Sequence, residues 1–235
     1  MNMTTLASLQ HERLSRLFPW ERLDRDKALA RPDLLNLVRE ACLIESYFAV
    51  YTARMMRLLW YDVTATSILS IEAFEAYVHF ATLRRYLEEV GYRPVSDDEI
   101  RQLREKDLDE TADDELQELV NFMVTEHFAA HFFRDLANET DEPVLKAIME
   151  RFSPEEDLHA DLAGELIRAR VAGRDDLAEK VVRGARSFRH IGMYVLPGVS
   201  NVRSDVVDAI LALDRKIEAL VGRSMIEPAA ESNPA

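Results

Sequence analysis

The sequence predicts an all-α fold, and three of its features indicate this. Hydrophobic residues make up 48% of the 235 residues and are spread along the whole chain, which is enough for a sizeable core. Glycine and proline are scarce, at 7 and 8 residues, and the Asn-Gly, Asp-Gly and Gly-Gly pairs that join strands in hairpins are missing. Apolar residues recur instead every three to four residues, as they do in amphipathic helices. The length favours one compact domain.

The helical period marks out a series of helices along the chain, of which four are long. The predicted helices cover residues 4–18, 32–62, 66–89, 97–107, 112–138, 142–171, 175–189 and 203–222. Pro19 ends the first of them, and Pro32 suits the first turn of the second. Gly91, followed by Pro94, gives the C-terminal stop of the third. Four long helices with additional N- and C-terminal helices are typical of a four-helix bundle.

The core of this bundle is predicted over about residues 32–171, inside a single domain of residues 1–225. The run "IGMYVLPGVSN" separates the last two helices. Residues 226–235, "IEPAAESNPA", are polar and contain two prolines, so we predict a disordered tail there.

The net charge of −14 narrows the range of partners. Nucleic acid and anionic membrane surfaces both bind through clusters of Lys and Arg, so neither is an expected partner. The sequence has no stretch of 18 uncharged apolar residues, and charges interrupt its first residues, so it predicts neither a membrane span nor a signal peptide. A lone cysteine, Cys42, cannot form an intrachain disulfide. Together these features predict a cytoplasmic protein.

Two glutamates, Glu45 and Glu126, lie on otherwise apolar helix faces, because residues three, four and seven positions apart share a face. The surrounding positions hold Val38, Ala41, Cys42, Phe48, Ala49 and Thr52 for the first, and Leu119, Phe122, Met123, Ala129, Ala130 and Phe133 for the second. An ionised carboxylate buried without a partner costs several kcal/mol, or its pKa rises until it is neutral. A bound cation would explain the pattern, and so would ion pairs with Arg54 or Arg134 from another helix.

Two further helices combine glutamates with a histidine on one face. These residues are Glu72, Glu75 and His79 on the helix predicted over 66–89, and Glu155, Glu156 and His159 on the helix predicted over 142–171. Glu75 follows Glu45 by 30 residues. Glu156 follows Glu126 by the same 30 residues, so the two halves of the chain repeat. A lone Glu followed by a Glu and His pair, present twice, is the ligand set of a two-metal carboxylate centre in a four-helix bundle.

The stretch "FSPEEDLHADL", residues 152–162, also has an ordinary structural interpretation. Pro154 is expected to kink or restart the helix, with Ser153 as its N-cap and Glu156 reaching back to the Ser153 amide. The 30-residue register favours Glu156 as the metal ligand beside His159. Glu155 would then either cap the helix or contact the metal ligands without binding the metal itself.

Over about residues 32–171 the pattern resembles the ferritin-like di-iron carboxylate superfamily, in which Glu and then Glu-x-x-His occur twice. The run "EEDLHADL" resembles the motif of its oxygen-activating branch, which includes acyl carrier protein desaturases, aldehyde-deformylating oxygenases and arylamine N-oxygenases. The resemblance implies two iron ions, or manganese in their place, held by Glu45, Glu75, His79, Glu126, Glu156 and His159. Because His79 follows Glu75 by four residues rather than three, Glu72 stays open as an alternative ligand, and so does Glu155.

The same resemblance implies an O2-dependent oxygenase or oxidase. Its partners would be a small or apolar organic substrate and an electron donor, and a homodimer is one expected assembly. The resemblance names no catalytic residue beyond the metal ligands and selects no single reaction among hydroxylation, desaturation, N-oxygenation and deformylation.

Three other functions stay open at this point. One is a ferroxidase or another iron-handling ferritin-like protein. The second is a haem-oxygenase-like di-iron oxygenase, since Glu72 precedes His79 by seven residues and a later helix offers His127, His131 and Asp135. The third is a metal-free helical interaction module with buried ion pairs.

Overall fold

The computed structural model describes residues 17–105, 114–188 and 207–226, and within these ranges it confirms the all-α fold. The regular elements there are one 3-10 turn, Trp20–Arg22, and eight α-helices. The helices are α1 (Arg25–Leu29), α2 (Pro32–Leu58), α3 (Val63–Val90), α4 (Asp97–Glu105), α5 (Glu115–Glu139), α6 (Pro143–Val171), α7 (Asp175–Arg186) and α8 (Val207–Val221). None of these helices has the length and apolar character that a membrane span requires.

The four long helices form two hairpins. Residues 59–62 join α2 to α3, and residues 140–142 join α5 to α6; the helices of each pair pack closely along each other. Connections this short make the paired helices antiparallel. The hairpins meet where α3 packs against α6 and α2 against α5. The short helices lie outside: α4 packs on α2, α7 on α5, and α8 on α5, α6 and α7.

Capping residues fix the ends of α3. At its C-terminus Gly91 adopts φ 78°, a left-handed conformation that glycine takes without strain, so the predicted stop is confirmed. At its N-terminus the Asp62 side chain accepts a hydrogen bond from the Ala65 amide at 2.9 Å. The other oxygen of Asp62 lies 2.8 Å from Nη2 of Arg170 on α6. One carboxylate thus caps α3 and joins the two hairpins.

Replacing Asp62 by alanine is expected to lower the free energy of unfolding by about 1–2 kcal/mol, since both the cap and the ion pair are lost. The Ala65 amide and the Arg170 guanidinium hold the pKa of Asp62 below its ordinary value, although partial burial acts the other way. A lowered folded-state pKa stabilises the protein above the unfolded value, near 3.9, and this contribution is lost as the pH falls further. Asp62→Asn keeps the cap without the charge. Urea unfolding should therefore show a gap between the Asp62→Asn variant and wild-type protein that closes below about pH 3.9; a pH-independent gap would contradict the account.

The predicted restart at Pro154 is wrong, because α6 runs unbroken through this residue. The helix begins at Glu142, as predicted. The Glu142 carboxylate accepts hydrogen bonds from the amides of Val144 and Leu145 at 3.2 and 2.7 Å, and Pro143 occupies the first turn. Ser153 caps nothing; its hydroxyl donates to the Ala130 carbonyl on α5 at 2.9 Å. The capping-box interpretation fails because a complete start signal lies further upstream.

The remaining helix predictions differ from the structure mainly at their ends. Three predictions lie almost entirely outside the described residues: the helix over 4–18, the "IGMYVLPGVSN" connection and the disordered tail. At the end of the first, Leu17 and Phe18 form a turn. At the start of the tail, the amide of Ile226 donates to Asp214 at 3.2 Å. Helix α1 was not predicted. It is only five residues long, too short for a hydrophobic period to reveal.

Candidate metal centre

Six ionisable side chains from the four long helices meet in the interior of the bundle. All are buried, the most exposed at 7%. Their ligand atoms fall into two groups, each with all atoms within 4.8 Å of one another: Glu72, Glu126, Glu156 and His159 in the first, and Glu45, His79 and Glu156 in the second. Glu156 belongs to both groups, so the six side chains form one continuous set, the Glu/His cluster.

Helix geometry explains how the sequence assembles this cluster. On α3, His79 follows Glu72 by seven residues, close to two full turns, so both side chains point to the same side. On α6, His159 follows Glu156 by three residues and shares its face. The facing helices α2 and α5 each add one glutamate. Each hairpin therefore contributes two carboxylates and one imidazole.

His79 points one ring nitrogen into the cluster and the other out of it. Its Nδ1 lies 2.9 Å from Oε1 of Glu156 and 3.8 Å from Oε2 of Glu45. Its Nε2 lies 3.0 Å from Oε2 of Glu155 on α6. A histidine that donates from Nε2 to a carboxylate presents the lone pair of Nδ1 on its other side, which is the arrangement of a metal-ligating histidine.

His159 repeats this arrangement in the other half of the cluster. Its Nδ1 lies 2.7 Å from Oε2 of Glu72, 2.9 Å from Oε2 of Glu156 and 4.0 Å from Oε2 of Glu126. Its Nε2 lies 2.6 Å from Oε2 of Glu75 on α3. The outer carboxylates are thus exchanged between hairpins: α6 supplies the one for the histidine of α3, and α3 supplies the one for the histidine of α6.

The cluster crowds four carboxylates into an environment that disfavours charge. Burial, followed by the charge of Glu156, raises the pKa of Glu45 to about 7. Burial raises the pKa of Glu72 too, and burial with the neighbouring Glu156 raises the pKa of Glu126 well above its ordinary value. Without a cation this cluster can exist only by taking up protons.

Contacts within the cluster favour the charged forms of Glu156 and of the two histidines, in contrast to the other three carboxylates. Burial alone would raise the pKa of Glu156, but the charge of His79 and the hydrogen bond with His159 outweigh burial and hold that pKa well below its usual range. Burial also acts against charge on His159, yet its contacts with Glu156 and Glu72 raise its pKa to about 11. The protons on these imidazoles occupy the positions that a divalent cation can take.

Three buried polar atoms of the cluster make no hydrogen bond with any described residue. They are Oε2 of Glu72, Nδ1 of His79 and Oε1 of Glu126. The first two lie within 3 Å of an oppositely charged group, but not in hydrogen-bonding geometry. Buried polar groups in folded proteins are nearly always paired, and a metal ion is a partner that these three atoms could share.

The structure separates the two glutamates that the sequence left open on α3. Glu72 lies inside the cluster, whereas the side chain of Glu75 is 33% exposed and contacts only the outer nitrogen of His159 among the cluster residues. Glu155 occupies the equivalent outer place against His79, and its second oxygen pairs with Nε of Arg151 at 3.0 Å. The structure therefore brings Glu45, His79, Glu126, Glu156 and His159 together with Glu72, and places Glu75 and Glu155 behind the histidines.

The ion-pair alternative finds no support among the described residues. Glu45 and Glu126 pair there with histidines and with no Lys or Arg. The guanidinium of Arg134 pairs instead with Asp157 at 2.8 Å, and that of Arg54 lies over the ring of Tyr51.

His127 and His131 lie outside the cluster. Nε2 of His127 is 2.9 Å from the Ala209 carbonyl, so this buried histidine holds α8 against α5. His131 stacks near it, with ring centroids 4.8 Å apart, and faces Arg134. Neither is among the residues that could share a metal ion with the cluster.

Two features beside the cluster were not predicted from the sequence. The ring of Phe152 packs on the imidazole of His79, with centroids 4.0 Å apart, and restricts its orientation. On the side of α2 and α5, a cavity of about 20 Å³ reaches Glu45. Its other lining residues are Ala41, Ile44, Phe48, Thr125, Phe128, Ala129, Phe132 and Phe133.

Comparisons of the chain with models of protein families, with curated proteins and with solved structures each found no match. The function must therefore be argued from the geometry and chemistry of the Glu/His cluster.

Proposed function

We propose that the Glu/His cluster binds two divalent iron ions, with manganese as the alternative metal, and that the protein is an O2-dependent oxidase or oxygenase. The observation that carries this proposal is the pair of ligand groups joined by Glu156. Four carboxylates match the charge of two divalent cations. Burying such a set without cations is costly, whereas burying it with them is not.

The donor atoms support the choice of metal. One ion would be held by Glu72, Glu126, Glu156 and His159, and the other by Glu45, His79 and Glu156. Carboxylate oxygens with one imidazole per ion suit Fe(II) and Mn(II) better than metals that prefer thiolates. Each hairpin contributes two carboxylates and one histidine. Di-iron and di-manganese carboxylate proteins with four-helix bundles use the same six ligands. Ligation by Glu72 in place of Glu75 is part of the proposal.

Side chains around the cluster would then have distinct tasks. A pair of ferrous ions, when bound, supplies the electrons with which O2 is reduced. Glu75 and Glu155 accept hydrogen bonds from the outer nitrogens of the histidines, which orients each ring so that its Nδ1 could bind an ion in place of a proton. Phe48, Phe132 and Phe133 line the cavity that reaches Glu45 and keep bulk water away from that side. A molecule that approaches through this cavity must be small and apolar.

A second candidate function is a ferroxidase that oxidises iron without an organic substrate. The size of the cavity at Glu45 favours it, since about 20 Å³ accommodates a molecule no larger than water or O2. A haem-oxygenase-like di-iron site would need histidine ligands from a later helix. His127 and His131 do not supply them, because His127 binds the Ala209 carbonyl and His131 faces Arg134.

Anaerobic loading with Fe(II), followed by exposure to O2, tests the proposal. We expect two iron ions per chain, rapid consumption of O2 and conversion of both ions to the ferric state in Mössbauer spectra. Slow oxidation at the rate of free Fe(II) would contradict it. Turnover that continues only with added Fe(II) identifies the ferroxidase, and turnover with a chemical reductant and an apolar substrate identifies the oxygenase.

Removal of the outer carboxylate of His159 should weaken metal binding without changing the stoichiometry. Glu75→Ala is expected to lower affinity for the metal about 10–100-fold, since the imidazole loses the partner that orients it. Glu75→Gln retains an oxygen that accepts from Nε2 and should restore part of the affinity. Glu88→Ala, an exposed glutamate on the same helix, is the matched control. A Glu75→Ala protein that binds one ion fewer would instead make Glu75 a direct ligand.

A further inference from the structure

A second cavity, much larger than the one at Glu45, lies away from the Glu/His cluster, on the outer side of α2 and α3. It measures about 390 Å³ and is bounded by α4, which crosses α2 there. Its lining residues are Val50, Phe80, Arg84, Asp97, Ile100, Arg101, Arg104 and Glu105, and none belongs to the cluster. Small-molecule sites commonly have volumes of about 300–1,000 Å³, so this cleft is large enough for a small ligand.

Most of the charged residues that line the cleft are arginines. Three arginines oppose two carboxylates, although the chain as a whole carries −14. Two of the arginines are already neutralised: Nη1 of Arg84 lies 2.7 Å from Asp97, and Nη1 of Arg101 lies 2.7 Å from Asp98. Arg104 differs from them, because it pairs with no carboxylate among the described residues.

Arg104 is held in place by a neutral acceptor. Its Nε and Nη2 both donate to the Ser46 carbonyl on α2, at 3.1 and 2.6 Å. This leaves Nη1 without a hydrogen-bond partner within the described part of the chain. Partial burial lowers the pKa of Arg104, and no described carboxylate pairs with it to offset this effect. A half-buried guanidinium, oriented by its backbone contact and still able to donate, is suited to binding an anion.

The remaining lining residues of the cleft are apolar. Val50 and Phe80 come from the outer faces of α2 and α3, and Ile100 comes from α4. A hydrated inorganic anion gains nothing from such a wall, whereas a molecule with a hydrocarbon body gains by burying it. Charge and shape together select a ligand with one anionic end and one apolar end.

We propose that this cleft is a binding site for a small organic carboxylate with an apolar body, whose carboxylate pairs with Arg104 and whose hydrocarbon part packs on Val50, Phe80 and Ile100. The site is independent of the proposed metal chemistry, because it uses other residues on the outer side of α2 and α3.

Calorimetric titration of the metal-free full-length protein with decanoate tests this inference. We expect saturable binding of one molecule per chain, and binding at least tenfold weaker for decanol, which lacks the charge, and for acetate, which lacks the body. Arg104→Gln should weaken decanoate binding by about tenfold or more, whereas Arg168→Gln, an exposed arginine on α6, should leave it unchanged.

A second variant keeps the proposal testable if the Arg104→Gln protein does not fold. Val50→Asp keeps the Ser46 contact but places a carboxylate on the cleft wall, so it should compete with the ligand for Arg104 and also weaken decanoate binding. Equal affinity of wild-type protein for decanoate and decanol, or full affinity in both variants, would overturn the proposal. Absence of saturable decanoate binding to wild-type protein would overturn it as well.

Discussion

Substitution of Glu156 by alanine is expected to abolish binding of both metal ions. Glu156 is the one residue that belongs to both ligand groups, and its two oxygens lie 2.9 Å from the Nδ1 atoms of His79 and His159. Its removal would leave each proposed ion with fewer carboxylates and without the ligand that the two groups share. The metal content measured after anaerobic reconstitution should fall from two ions per chain to none.

Glu150→Ala is the matched control for this substitution. Glu150 lies on the same helix, is exposed and pairs among the described residues with Lys146 at the surface, so its loss should leave two ions bound. Helix content by circular dichroism should be the same in both variants. A folded Glu156→Ala protein that still binds two ions would show that Glu156 is not an essential ligand.

Metal loading is expected to raise the melting temperature by about 10 °C. A ligand that binds only the folded state stabilises it by about 4 kcal/mol at a thousandfold excess over its Kd, and each kcal/mol raises the melting temperature of a chain of this size by about 2–4 °C. The effect should be large because cations relieve the mutual repulsion of Glu45, Glu72, Glu126 and Glu156.

Scanning calorimetry with and without Fe(II) or Mn(II) measures this shift, and a chelator should reverse it. Glu126→Gln provides the comparison, because glutamine matches the shape of the carboxyl group, whose pKa is already well above its ordinary value. The metal-free variant should melt close to the metal-free wild type, but the metal should stabilise it much less. An equal shift in both proteins would place the bound metal elsewhere.

The sequence predicts the long helices well because their apolar periods and end signals agree. Gly91 and Pro32 lie where a helix ends and begins, and the structure places α3 and α2 accordingly. Pro154 misled the prediction, because a proline in a helix removes one hydrogen bond but does not end the helix when packing on both sides continues. In α6 that packing comes from buried Phe152 before it and Glu156 after it.

The sequence pattern alone cannot decide whether Glu72 or Glu75 points into the cluster. At about 100° per residue, His79 is rotated by roughly 20° from Glu72 and by roughly 40° from Glu75, so both glutamates fall on its side of α3. Only the position of α6 decides which one turns inward. The exchange of Glu75 and Glu155 between hairpins is invisible for the same reason, since it depends on how two distant helices approach each other.

The most direct test of the account is anomalous X-ray diffraction from crystals of the protein reconstituted with Fe(II) under anaerobic conditions. The account predicts two iron peaks per chain, about 3.5–4 Å apart, with Glu156 between them, His79 on one and His159 on the other. A single peak, or peaks that do not contact Glu156, would contradict the proposed two-metal centre.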